Sequence, residues 1–201
     1  YGIGGFSRQA YEFVDILKDA GQKYWQILPL GPTGYGDSPY QSFSARAGNP
    51  NFIDFAELIE AGYLEQRDID GVYLGSDPSN VDYGAIFGGR RQILDRAAER
   101  FAADKPADFD DFIQANEDWL IPYCEFMTVK EECGLKAFWE WPAELRTRGE
   151  ASAKVCADHP ARMLYHQMTQ YFFDRQWSRL KAYANERDIL IIGDLPIYVS
   201  R

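Results

Sequence analysis

The sequence predicts an α/β fold, either an α/β barrel or a doubly wound sheet, with a largely helical insertion between two strands. Near-continuous apolar runs at 24–30 and 189–192 have the pattern of strands buried on both faces, as parallel sheets require. A helical period precedes each run, and the residues between them read as helices and turns. The resulting order of helix, strand, loop, helical stretch, helix and strand belongs to α/β architectures. No internal repeat or low-complexity tract competes with it.

Phe6, Ala10, Phe13, Val14 and Leu17 recur at helical steps, with Ser7 placed to cap and Gly21 to terminate, so a helix is expected over 8–20. The strand from Tyr24 should end at Leu30, just after Pro29. From Gly31 to Asn51 glycines and prolines punctuate a loop too long to be a mere connection, and such loops commonly carry function. Asp54 and Glu57 have capping-box spacing for a short helix ending near Gly62. A turn-rich stretch follows over 68–80.

Ile86, Ile93, Leu94, Ala97 and Phe101 predict a helix over 85–103. Asp108 is placed to cap another, with Phe112, Ile113, Trp119 and Leu120, which Pro122 should kink or break. Trp139 and Trp141 read as a satellite core, followed by a polar connection to 160. Pro160 opens a long helix to Glu186 with Leu164, Met168, Tyr171, Phe172 and Leu180 inward.

The chain has 201 residues, enough to bury a real core in one domain or one domain with an insertion. Its net charge of −10 opposes phosphate backbones and anionic lipid heads, so neither nucleic acid nor a membrane surface is an expected partner. No stretch reaches the length of a membrane span and the N-terminus lacks a signal pattern. Cys124, Cys133 and Cys156 are odd in number and lack metal-type spacing, which fits a reducing, cytoplasmic compartment. Phe, Trp and Tyr make up 15% of the chain, more than its core requires, so some rings are candidates to face a ligand.

Gly2-Ile3-Gly4-Gly5 fails as a dinucleotide loop because Ser7 stands where the third glycine belongs, and no P-loop occurs. His159 and His166 have no metal-ligand partner one turn away and read as surface or core-edge residues; no metal and no cofactor is expected. The segment Gly34-Tyr35-Gly36-Asp37-Ser38-Pro39-Tyr40-Gln41-Ser42-Phe43-Ser44 is different. It joins aromatic rings, hydroxyls, a carboxylate and an amide in a glycine-hinged loop, the mixture that pyranose C–H faces and hydroxyl rims demand. A self-packed loop without a ligand is the alternative. Asp194, at the carboxyl end of the second strand, is either a site residue or a turn cap.

The run from Lys23 through Ala45, containing Gly34-Tyr35-Gly36-Asp37-Ser38-Pro39-Tyr40-Gln41-Ser42-Phe43-Ser44, closely resembles the bacterial amylomaltases, the 4-α-glucanotransferases also called disproportionating enzymes. Ala47-Gly48-Asn49-Pro50, Val81-Asp82-Tyr83, Trp141-Pro142 and Gly193-Asp194-Leu195-Pro196-Ile197-Tyr198-Val199 extend the resemblance over nearly the whole chain. It implies a partial (β/α)8 TIM barrel of the α-amylase clan, with 24–30 as the second strand and 189–194 as the third. Residues 1–50 and 160–201 would be barrel, and 51–159 a mostly helical insertion. The implied activity is transfer of α-1,4-glucan segments to the 4-hydroxyl of an acceptor by retaining double displacement.

The resemblance further implies that Tyr35, Ser38 and Tyr40 contact glucan, that Tyr83 binds glucan away from the cleavage point, and that Asp194 supports the nucleophile. The partners would be maltooligosaccharides or starch- or glycogen-derived α-glucans. The nucleophile and the acid/base of the family belong to later strands, so the chain reads as a piece of a longer protein that is inactive alone. A non-catalytic α-glucan-binding module and a fragment of an α-amylase-clan hydrolase are the alternatives. Either barrel reading requires the two strands to be parallel, with Tyr35, Ser38, Tyr40 and Asp194 bordering one mouth.

Overall fold

A computed structural model describes residues 1–34, 36–77 and 79–195. The elements are α1 (Arg8–Asp19), β1 (Tyr24–Gln26), α2 (Phe55–Glu60), α3 (Gln66–Ile69), α4 (Tyr83–Ala103), α5 (Phe109–Ala115), α6 (Glu117–Glu132), α7 (Glu150–Asp158), α8 (Pro160–Glu186) and β2 (Leu190–Ile192). The described fold is therefore mainly helical with a small sheet.

β1 and β2 are parallel, with Tyr24 opposite Leu190, Trp25 opposite Ile191 and Gln26 opposite Ile192. The Ile27 N–H donates to the Ile192 carbonyl at 2.9 Å and extends the ladder. The strands are shorter than expected, and the expectation of burial on both faces is not met: Tyr24 is 60% exposed and Leu190 53%. The described sheet has two strands, so helices cover only the face carrying Trp25 and Ile191.

α8 is the axis of the helical layer and packs against α1, α4, α6 and α7. One hydrophobic cluster draws residues from 6–14, 53–74, 93–109 and 165–189, so strand-flanking and helical segments share a core. The inward faces of α4 and α8 match the periodicity: Ile86, Ile93, Leu94, Ala97, Phe101, Met168, Tyr171, Phe172 and Leu180 are buried. On α1, Val14 is buried, while Phe13 is turned outward to stack edge-on against Trp25, with ring centroids 5.3 Å apart.

Several local expectations fail because side chains find distant partners. Ser7 stands at the start of α1, but its hydroxyl donates to Gln9 Oε1 at 2.8 Å instead of capping the helix. Asp54 caps α2 by accepting from the Ala56 N–H, whereas Glu57 pairs with Arg179 on α8 and makes no capping box. Asp108 precedes α5 without capping it, because its carboxylate accepts from the Tyr171 hydroxyl at 2.7 Å and from Arg175.

The break expected at Pro122 falls at Asn116. There the side-chain amide donates to the Phe112 carbonyl at 2.9 Å and its oxygen accepts from Trp119 Nε1 at 3.0 Å, taking over backbone roles between α5 and α6. Pro122 lies inside α6 and deprives only the Asp118 carbonyl of its helical donor. The polar connection before Pro160 contains α7, which packs on α6 and α8. Of the two tryptophans read as a satellite core, Trp141 is buried and Trp139 is exposed.

His166 is no core-edge residue. It lies 3% exposed between α8 and α6, its Nε2 3.1 Å from Glu131 Oε1, and burial lowers its pKa below the ordinary histidine value. Burial also pushes the Glu131 carboxyl up, but the close approach of His166 and the hydrogen bonds from Arg162 outweigh it and hold the group at about 2. Arg91 at 2.8 Å completes the charge set around Glu131, and Arg162 also reaches Asp95 at 2.5 Å. This network joins α4, α6 and α8.

Candidate functional site

Beyond β1 the chain leaves the sheet as a closed loop. Its two feet meet where the Asn49 N–H donates to the Leu30 carbonyl at 2.8 Å. Within it Thr33 and Ser42 form an isolated antiparallel bridge. Gly36 (φ +90°) and Asp37 (φ +54°) take the left-handed backbone that lets the tip reverse, a conformation glycine and aspartate tolerate best. The Asp37 N–H donates to the Gly34 carbonyl at 3.1 Å, and the Gln41 N–H to the Ser38 carbonyl at 3.1 Å.

The hydroxyls divide into two groups. Ser42 Oγ donates to the Ser44 carbonyl at 2.8 Å, and Ser44 Oγ accepts from the N–H groups of Arg46 and Ala47 at 3.2 and 3.1 Å. Those two serines hold the loop's own backbone. Among the described residues, Ser38 Oγ accepts only a long contact, 3.4 Å, from the Tyr40 N–H. The Tyr40 ring is 42% exposed, and its hydroxyl donates to Asp194 Oδ2 at 2.8 Å. That hydrogen bond, more than the slight burial beside it, raises the Tyr40 pKa above its ordinary value, because ionising the phenol would place two anions in contact.

Asp194 reaches Tyr40 because β1 and β2 are parallel and end side by side, so the loop after one and the residue after the other open on the same edge. Of the residues singled out in the sequence, Tyr40 and Asp194 therefore come together, and Ser38 stands two residues before Tyr40 in the same loop. Tyr83 is the first residue of α4; its exposed ring makes no hydrogen bond or ring contact with this group among the described residues. Tyr35 and the run from Pro196 to Val199 lie outside the described residues.

Two supports of the loop escaped sequence reasoning. Lys130 Nζ lies 4.9 Å from the centre of the Phe43 ring, which ties the loop to α6. Gln170, on the inward face of α8, hydrogen-bonds both backbone groups of Gly48. The available signal was a glutamine among Met168, Tyr171 and Phe172 on an apolar helix face. Among the described residues no group of three or more His, Cys, Asp or Glu side chains is arranged to hold a metal ion, and no helix is long and apolar enough to cross a membrane.

Parallel strands that end on one edge, where a tyrosine of the loop after one strand meets a carboxylate just after the other, define the class of α/β proteins that build sites from strand-end loops. The family model described as 4-alpha-glucanotransferase, glycoside hydrolase family 77, matches residues 1–201, and the chain belongs to that family. A 4-alpha-glucanotransferase of Streptococcus pneumoniae (strain TIGR4) is 50% identical over 203 residues, covering 100% of this chain and 40% of the relative. One from Thermus thermophilus is 42% identical over 205 residues, again 100% of this chain and 40% of the relative.

Among solved structures, an amylomaltase from Streptococcus agalactiae in complex with acarbose is similar with a TM-score of 0.92 and 46% identity. The match covers 98% of this chain and 41% of that one. The amylomaltase of Corynebacterium glutamicum, at 18% identity and a TM-score of 0.68, shares the fold. The chain thus spans about 40% of the length of the curated relatives quoted.

Proposed function

We propose that this chain forms one wall of the glucan cleft of a cytoplasmic 4-α-glucanotransferase, which moves α-1,4-glucan segments to the 4-hydroxyl of an acceptor glucan or glucose. β1 and β2 are the second and third strands of a (β/α)8 barrel. Residues 1–50 and 160–201 belong to that barrel, and 51–159 to a helical insertion. The observation that carries this reading is the 2.8 Å hydrogen bond from Tyr40 to Asp194 at the shared ends of the two strands.

The chemistry follows from the groups present. Tyr35 and Tyr40 offer ring faces to sugar C–H surfaces, and Ser38 offers a hydroxyl to their rims. Tyr83 binds glucan away from the cleavage point. In a retaining transfer a carboxylate attacks the anomeric carbon as an acid protonates the departing oxygen, and the acceptor's 4-hydroxyl then displaces the carboxylate. Those two groups come from later barrel strands. Asp194 supplies fixed negative charge beside the developing oxocarbenium ion, and the Tyr40 hydroxyl, by occupying Oδ2, sets the direction of the remaining oxygen.

The test separates transfer from hydrolysis and from mere binding. The complete protein is incubated with maltotriose and isotopically labelled glucose. Labelled maltooligosaccharides should accumulate with no net gain in reducing ends. A gain in reducing ends that matches maltotriose loss would mean a hydrolase, and binding without turnover would mean a glucan-binding module.

A further inference from the structure

Gln170 lies in the middle of α8, 2% exposed, with its side-chain amide directed at the backbone of the loop's returning foot. The Gly48 N–H donates to Gln170 Oε1 at 2.7 Å, and Gln170 Nε2 donates to the Gly48 carbonyl at 2.9 Å. The amide thus reads the peptide as a neighbouring strand would, using both of its functions at once. Space around the peptide is fixed as well: a Cβ at Gly48 would lie 2.2 Å from the Phe173 ring, so the backbone is pressed flat against α8.

From this foot the support continues upward. Asn49 ties to Leu30, Ser44 Oγ gathers the N–H groups of Arg46 and Ala47, Ser42 bonds to Ser44, and Thr33 bridges Ser42 below the tip that carries Tyr40. In the other direction α8 runs to Glu186 and feeds β2, which ends just before Asp194. Both partners of the Tyr40–Asp194 hydrogen bond therefore trace back to one helix. We propose that Gln170 is a positioning residue for transfer, holding the tyrosine loop in register with Asp194 through Gly48.

A built-in comparison exists six residues along the same helix. Gln176 clamps Asp54 in the same way, accepting from its N–H at 2.7 Å and donating to its carbonyl at 3.1 Å. It is equally buried, but it grips the chain beyond the loop's feet, at the start of α2. The two glutamines make the same kind of contact and differ in what hangs from it.

The inference rests on the reading that the Tyr40–Asp194 pair acts in glucan transfer, and a double-mutant cycle in the complete protein tests it. Gln170→Met keeps length and burial and deletes both hydrogen bonds. It should lower kcat for maltotriose disproportionation by up to about tenfold, the cost of losing the Tyr40–Asp194 contact itself, with KM much less affected. In a Tyr40→Phe background the same substitution should change kcat by no more than about twofold, since the contact it protects is already gone. Gln176→Met should lower the melting temperature comparably and leave kcat near the parent value.

Equal kcat losses from Gln170→Met in both backgrounds would overturn the inference, as would a matching loss from Gln176→Met. Should Gln170→Met fail to fold, Gln170→Glu is carried through the same cycle. It retains the acceptor for the Gly48 N–H, so the same coupling at smaller amplitude is expected, and additivity overturns the inference there too. Absence of transfer in the unsubstituted protein, by contrast, would strike the functional reading and not the role of Gln170.

Discussion

Asp194→Asn should lower kcat for glucan transfer by roughly 10²-fold or more and change KM far less. The substitution keeps the shape of the side chain and its place at the end of β2, and an amide oxygen can still accept from the Tyr40 hydroxyl, which lies 2.8 Å from the carboxylate. What disappears is negative charge. Charge fixed beside a reacting centre is felt most where opposite charge develops, so the loss falls on the transition state and not on bound glucan. Steady-state kinetics on maltotriose in the complete protein measures it. A kcat within about threefold of the parent, with the fold intact, would reduce Asp194 to a turn cap and remove the charge from the mechanism.

Phe101→Ala should cost about 3–5 kcal/mol of folding stability, the range for truncating a fully buried aromatic ring. Phe101 sits near the end of α4 and is completely buried, and its ring meets four others: Phe109 at 4.9 Å between centroids, Tyr63 at 5.3 Å, Phe172 at 5.7 Å and Tyr171 at 6.1 Å. Those rings come from α5, from the chain between α2 and α3, and from α8, so a cavity there loosens the contacts of α4 with three segments at once, the central helix among them. Urea denaturation gives the loss directly. Phe138→Ala, at an exposed position, should stay within about 0.5 kcal/mol and serves as the reference. A loss under about 1 kcal/mol for Phe101 would mean that the aromatic cluster does not organise the core.

The parts of this fold that were legible in the sequence are those where one local pattern dominates. The apolar stripes of α4 and α8 and the proline that opens α8 place those helices closely, and the two apolar runs mark the strands. Helix α7 was not legible because its residues are small and polar on most sides; it holds through contacts with α6, α8 and the short turn at Ala143–Leu145. The capping errors share one cause. Glu57 and Asp108 are well spaced for capping, yet arginines of α8 claim both carboxylates from across the fold.

The candidate site divides in the same manner. Ser38, Tyr40 and Asp194 were marked by chemistry concentrated in short motifs, and the parallel strands bring Tyr40 and Asp194 into contact. Gln170 was illegible because a lone glutamine in a helix looks like any solvated side chain until its partner, the Gly48 peptide, is brought beside it by tertiary packing. Likewise, nothing local in the sequence separates Ser42 and Ser44, which brace the loop, from Ser38, whose hydroxyl makes only the long contact with the Tyr40 N–H among the described residues.

The central claim is that Tyr40 and Asp194 act as one unit in glucan transfer. Its most direct test is kcat for Tyr40→Phe, for Asp194→Asn and for the two together, measured on maltotriose in the complete protein. The Tyr40 hydroxyl works through the hydrogen bond it gives to Asp194, so Tyr40→Phe alone should cost about tenfold, on the scale of one hydrogen bond to a charged group. Added to Asp194→Asn it should cost no more than about twofold further. Independent, multiplying losses, or a Tyr40→Phe protein with unchanged kcat, would contradict the account.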